Sequence, residues 1–149
     1  MLLTDGNPNV EEDLRRYESS ILGLAHSEQI DLLVKLAVAT EEVTQEVLDF
    51  LLNRLVGVDP QGAARRSVGV ADVVVTRQLK RWHALHALEV VYRDAFHNQL
   101  NDRYQERFLE YKREAALAKR QTFEFGVGAG LSTVAGSGDA DVHVRGRNV

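Results

Sequence analysis

Cysteine is absent from all 149 residues, which removes disulfide frameworks, thiolate metal sites and thiol catalysis together and favours an intracellular site of assembly. Proline is scarce, with Pro8 and Pro60 the two examples, and with 44% hydrophobic and 27% charged residues the composition is that of a globular protein, not a disordered or collagenous one. Long apolar runs are missing as well. Leu32-Leu33-Val34 and Val73-Val74-Val75 fall far short of the roughly 20 residues of a membrane helix, and Met1-Leu2-Leu3 meets Asp5 before a signal-peptide core develops. The chain is expected to be neither secreted by a standard signal nor embedded in a membrane.

What is present is helical periodicity. Leu79, Trp82, Leu85, Leu88, Tyr92 and Ala95 recur at steps of three or four, and so do Tyr104, Phe108, Tyr111, Ala115 and Ala118, on either side of a polar knot at Asn98-Gln99-Leu100-Asn101-Asp102. Thr76 is the expected cap of the first helix, which should end near Asn98, and Asn101 or Asp102 the cap of the second, ending near Phe123. A single unbroken helix from Thr76 to Arg120 is the alternative, because Leu100 keeps the phase. The predicted fold is all-α: a small helical bundle with two long helices in its C-terminal half and an extended glycine-rich C-terminal tail.

Before Thr76 the signals are shorter. Asn7 before Pro8, with Glu11, Glu12 and Asp13 behind, predicts a helix to about Leu22 that is ended by Gly23 and places Val10, Leu14, Tyr17 and Ile21 on one narrow face. Ser27 is a second candidate cap, followed by a stripe at Ile30, Leu33, Val34 and Ala37. The cap-plus-acid pattern recurs at Thr40-Glu41-Glu42, as a break or a bend, after which Val43, Val47, Phe50, Leu51, Arg54 and Leu55 continue to Gly57. From Gly57 to Thr76 the pattern lapses into a loop with a short ordered piece; Arg65-Arg66 reads as exposed, and Val73-Val74-Val75 suits a strand or a buried approach segment.

The chain divides at Phe125. Residues 1–125 form the expected helical domain, and residues 126–149, with Gly126, Gly128, Gly130, Gly136 and Gly138, an extended tail that would take a fixed shape only against a partner. Its alternating end, Asp141-Val142-His143-Val144-Arg145, could add as a strand to another protein's sheet.

Charge is unevenly spread beneath the net −4: residues 1–60 carry four Lys/Arg against twelve Asp/Glu, residues 61–125 twelve against eight, and the tail two against two. Pairing within the domain and ordinary solvated faces account for this asymmetry. The sharper reading is that neighbouring copies meet acidic flank to basic flank, as a head-to-tail ring requires.

Reactive constellations are weak. His83, His86 and Glu89 share a helical ridge, but the chain contains no Glu-x-x-His pair of the kind carboxylate-bridged metal bundles use, so a surface or intersubunit role for the histidines is preferred to a metal site. Gly126-Val127-Gly128-Ala129-Gly130 has Leu131 where the dinucleotide fingerprint needs glycine. Ser137 lacks a strand-turn-helix context, and Asp139 with Asp141 lacks the further oxygen ligands of a calcium loop. No cofactor and no metal is expected. Trp82, Tyr92, Tyr104 and Tyr111 are in the phase of the core, which favours packing over base stacking. Arg77, Lys80, Arg81, Arg103, Arg107, Lys112, Arg113, Lys119 and Arg120 make a DNA-binding regulator one alternative, although Glu106, Glu110 and Glu114 interleave with the later ones. A metal-dependent bundle enzyme built on His83, His86 and Glu89 is another.

The stretches Lys80-Arg81-Trp82-His83-Ala84-Leu85, Val91-Tyr92-Arg93-Asp94-Ala95, and Asn101-Asp102-Arg103-Tyr104 through Glu110-Tyr111-Lys112 resemble the helical head-completion or adaptor proteins of tailed bacteriophages. The resemblance spans roughly Glu28 to Arg120 in architecture and the second half in wording. It implies a non-enzymatic virion protein of the head-tail neck, assembled in the host cytoplasm. It further implies a ring of twelve copies on the portal protein, extending the exit channel, with DNA passing through without specific binding, and a docking surface for the next neck or tail protein. In such families the C-terminal tail orders on the portal. The expected portal and intersubunit contacts are therefore Arg65, Arg66, Phe125, Gly126, Gly128, Gly130, Val142, Val144 and Arg145.

Overall fold

In the computed structural model, which describes residues 1–55, 69–125, 127–130 and 141–144, the chain is an all-α bundle. The helices among the described residues are α1 (Glu11–Arg15), α2 (Ile21–Ser27), α3 (Leu32–Leu55), α4 (Arg77–Gln99) and α5 (Asp102–Phe125), with single 3-10 turns at Leu3–Asp5 and Val70–Asp72. None of these helices is long and apolar enough to cross a membrane. Beyond α5, the backbone of β1 (Val127–Gly130) pairs antiparallel with β2 (Asp141–Val144).

The centre of the bundle is α4. Thr76 opens it as the sequence requires, its hydroxyl oxygen accepting the Leu79 N–H at 3.2 Å. Every member of the predicted stripe from Leu79 to Ala95 is buried, and His83, Ala84, Ala87, Val90 and Val91 are buried too, so α4 is covered on nearly all sides by its neighbours. The polar knot is a break: Leu100 stands in the left-handed region at φ 51° and closes α4 by donating its N–H to Phe96, and Asn101 caps α5 by accepting the Arg103 N–H at 2.9 Å. The unbroken alternative is thereby excluded. In α5, Tyr111, Ala115 and Ala118 are buried, with Tyr104 and Phe108 half-buried against the same core.

The first forty residues depart from expectation in several places. The helix expected from Pro8 to Leu22 is two short ones, because α1 starts only at Glu11, where Asp13 Oδ2 accepts the Val10 N–H at 2.9 Å, and ends after five residues. Gly23 lies inside α2 instead of ending it; the stop is Gln29 at φ 55°, with the Ile30 N–H returning to the Ala25 carbonyl at 2.8 Å. Ser27 closes α2, and Asp31 caps α3 by accepting the Leu33 N–H at 3.0 Å. Of the break or bend expected at Thr40, the break is absent: α3 runs unbroken through it, and the Thr40 hydroxyl lies 2.9 Å from the Leu36 carbonyl one turn back.

Before Thr40 the apolar stripe of α3 also runs in a different phase, whereas Val43, Val47 and Leu51 are buried as expected. Leu32, Leu36, Ala39, Val43, Val47 and Leu51 face inward, whereas Leu33, Val34 and Ala37 of the expected stripe face out. The valine segment, expected as a strand or a buried approach, has features of both: Val73 is buried, Val74 and Val75 are partly so, and Val74 forms an isolated antiparallel bridge with Leu2. The Val73 carbonyl accepts the Leu3 N–H, and the Val75 N–H reaches Met1 O, each at 2.9 Å, so the amino terminus is tied beside α4.

Candidate interaction surfaces

Of the nine expected contact residues, Phe125 ends α5 with 66% of its surface exposed. Gly128, Gly130, Val142 and Val144 belong to the strand pair, in the register Val127–Val144, Gly128–His143, Ala129–Val142 and Gly130–Asp141. The segment expected to be extended, and free to join another protein's sheet, thus already has a strand partner within the chain, and in a two-stranded sheet each strand keeps one outer edge. Arg65, Arg66, Gly126 and Arg145 lie outside the described residues.

Charge asymmetry is partly consumed inside the molecule. Lys119 pairs with Glu46, Arg93 with Glu42 at 3.9 Å and Arg107 with Glu18 at 3.9 Å, each joining the basic second half to the acidic first half, while Lys35–Asp94 at 2.9 Å runs the other way. What remains outward differs between the helices. On α3, Glu41 and Asp49 are exposed along with Leu33, Val34, Ala37 and Leu52; on α5, Arg103, Arg113 and Arg120 are exposed along with Leu109 and Leu117, interleaved with exposed Asp102, Glu106, Glu114 and Glu124. Aliphatic side chains at the surface set among charged ones are the composition of a contact face.

His83 and His86 are sent to different surroundings. His83 is fully buried and joins three segments: Asn9 Nδ2 donates to both the Lys80 carbonyl at 2.8 Å and His83 Nδ1 at 2.9 Å. Nδ1 is therefore an acceptor, and the proton sits on Nε2, 2.8 Å from Thr40 Oγ1 and 3.2 Å from the Leu36 carbonyl; Thr40 in turn can donate to Asn7 Oδ1 at 2.7 Å. Burial, aided by the charge of His86 and opposed by the Leu36 carbonyl, pushes His83 from 6.5 down to about 4, in keeping with a neutral ring. The surface or intersubunit role expected for this histidine is thus replaced by a clasp between the amino-terminal arm, α3 and α4. Its other members are Thr40, read from sequence as a cap, and Asn9, which the sequence alone does not single out.

His86 lies between Glu42, which bonds its Nε2, and Glu89, 3.7 Å from its Nδ1. Burial lowers its pKa, but hydrogen bonds and charge from Glu89 and Glu42 outweigh that and leave it raised, favouring imidazolium in an acidic notch. Among the described residues no group of three His, Asp or Glu side chains could hold a metal ion. The tyrosines are packing groups: Tyr92 and Tyr111 stack at 5.7 Å with both rings buried, and the Tyr111 hydroxyl donates to Glu18 at 3.0 Å. Burial, reinforced by Glu18, raises both phenols above their ordinary value.

No family model matches the chain, and neither a curated protein nor a solved structure does.

Proposed function

We propose that the chain is a structural head-tail connector of a tailed bacteriophage, an adaptor that forms a ring beneath the portal protein, extends the DNA channel and docks the next neck or tail component. The observation that carries it is the pair of outward faces on α3 and α5, each studded with exposed leucine, with Glu41 and Asp49 on the first and Arg103, Arg113 and Arg120 among interleaved acids on the second. Faces of that kind suit a heterologous contact in which the leucines of one copy meet those of the next, the acids of α3 reach the arginines of α5, and the rotation closes into a ring. The resemblance supplies the copy number, twelve, and the place in the virion. Its quoted residues, from Lys80 to Lys112, include the packing and capping groups of α4 and α5. No reactive chemistry is needed for this role, and DNA slides through without sequence recognition. Exposed Phe125 and the residues after it are the portal contacts in this reading.

The test is co-expression with a portal protein from the same source as this chain, followed by electron microscopy of the purified particles. A ring of extra density on the portal is expected, and truncation after Phe125 should abolish it while the far-ultraviolet circular dichroism stays helical. A chain that remains monomeric and unattached in the presence of portal overturns the proposal.

A further inference from the structure

We propose that the cleft between α1 and the start of α4 binds the phosphodiester backbone of a nucleic acid. The cleft, about 310 Å³, is lined by Asp13, Arg16, Tyr17, Arg77, Lys80 and Arg81, with buried Asn9 at its wall. Four cations meet one carboxylate there, in a chain whose sum is −4. Asp13 is stretched between two of them, 3.8 Å from Arg16 and 3.9 Å from Lys80. Arg77 and Arg81 are exposed and make no ion pair with any described residue.

This gathering runs against local preference. Cations in the first turns of a helix oppose its dipole; α1 opens with Glu11, Glu12 and Asp13 and α5 with Asp102, and α2 and α3 open without an acid, but α4 opens without an acid and with Arg77, Lys80 and Arg81 in its first turns. Unscreened cations held this close repel one another, and an anion in the cleft relieves the repulsion. The cleft is also built in advance, because Asn9 Nδ2 holds the Lys80 carbonyl at 2.8 Å and is itself fixed by His83.

The lining chooses the class of anion. Three of the four cations are guanidiniums, whose fork of donors matches phosphate oxygens, and Tyr17 adds an exposed ring and hydroxyl. An acidic protein segment would need apolar anchors to bury, and the wall of the cleft offers no aliphatic side chain. A polymer fits better than a lone phosphate because Arg77 and Arg81 also line an adjoining cleft of about 250 Å³ with Gln78, Ala118 and Gln121. Two pockets sharing the same arginines form a track for successive phosphates. Nothing in this lining reads bases, so binding is sequence-independent and of the weak, salt-sensitive kind. Such binding is a property of the isolated chain and stands apart from the connector reading, which is tested with the portal present.

The experiment is fluorescence anisotropy of a short labelled DNA duplex with the full chain, at a series of salt concentrations. Wild type should bind at low salt and release steeply as salt rises. Arg77→Gln/Arg81→Gln should weaken low-salt binding by about tenfold or more and reduce the salt slope by about 2, near one unit for each phosphate that is no longer neutralised. Arg103→Gln/Arg113→Gln, on the outer face of α5, should leave the slope unchanged, and circular dichroism should show all variants folded. A duplex that fails to bind at low salt, or binds the double variant with an unaltered slope, overturns the site. A poly-glutamate peptide that displaces the duplex at equal charge concentration reassigns it to carboxylates, and inorganic phosphate that binds where the duplex does not reassigns it to small anions; either result overturns the proposal.

Discussion

The α4–α5 pair and the segment before Thr40 share one apolar core, to which the earlier segment gives Leu3, Leu14, Ile21 and Leu36, but they differ in what they add to it. The pair is held by apolar stripes that meet along their length: Trp82 edge-on to Phe123 at 5.4 Å, Phe123 stacked on Phe50 at 4.4 Å, and Tyr92 on Tyr111. The amino-terminal arm is positioned by a buried polar chain, Asn9 to His83 to Thr40 to Asn7, in which every ring nitrogen has a partner. Apolar burial is forgiving of small displacements, whereas a buried hydrogen-bonded chain fixes one arrangement and is costly to half-satisfy. The difference gives the two regions different vulnerabilities, one to loss of volume and the other to loss of a donor or to a proton.

The largest expected effect is in the apolar region. Leu88 is fully buried near the middle of α4, and Leu88→Ala should cost about 4 kcal/mol through reduced burial and the cavity left behind. Urea unfolding followed by circular dichroism checks this. A loss of under about 1 kcal/mol would mean that α4 is less tightly enclosed than its burial indicates.

Acid should find the polar region first. With His83 at about 4 folded and 6.5 unfolded, the unfolded chain binds more protons through that interval, so stability falls as pH drops from 6.5 toward 4, by about 2 kcal/mol between pH 7 and pH 5. His86 acts in the other direction: its raised folded value adds stability that is complete below the unfolded value and is lost as pH rises through the folded one. Urea midpoints at the two pH values should therefore separate the pair. His83→Gln should remove the destabilising slope, and His86→Gln should steepen it; equal slopes in wild type and His83→Gln would show that the clasp does not depend on a neutral ring.

Removing the donor tests the same clasp without a proton. Asn9→Ala leaves His83 Nδ1 and the Lys80 carbonyl without their shared amide, and the cost should be about 1–3 kcal/mol, with hydrogen exchange accelerated in the first ten residues before the rest. A uniform rise in exchange across α4 and α5 would instead make the arm part of the global core.

How much of this was legible in the sequence follows the same division. The α4–α5 pair could be read, cap by cap, because its stripes have one phase each and its knot carries the residues that stop and restart a helix. The first half of the α3 stripe could not, since Leu32-Leu33-Val34 and Leu36-Ala37-Val38-Ala39 offer enough apolar side chains for two phases. Extending Val43 and Val47 backwards through an unbroken Thr40 gives Ala39, Leu36 and Leu32, the phase the structure adopts. The polar clasp was hidden for a different reason. Asn7 and Asn9 carry the same local signal as a helix start, and nothing in their spacing announces partners 33 and 74 residues away. The excess of basic residues at Arg77, Lys80 and Arg81 was visible, but Arg16 joins them only through the fold.

The smallest expected effect lies where the readable region breaks a local rule. Leu100 occupies the left-handed position after α4 at φ 51°, with 72% of its surface exposed, so it incurs the steric penalty of that conformation and gains little burial in return. Glycine has no such penalty but loses more freedom on folding, and the two terms nearly offset. Leu100→Gly should therefore stabilise the chain by about 0.5 kcal/mol, read as a small rise in the urea midpoint with unchanged slope. A clear loss of stability would assign the leucine a neighbour that its exposure does not reveal. Retained stability with impaired assembly would place it on a surface that another molecule covers, making the break between the two long helices part of the docking face.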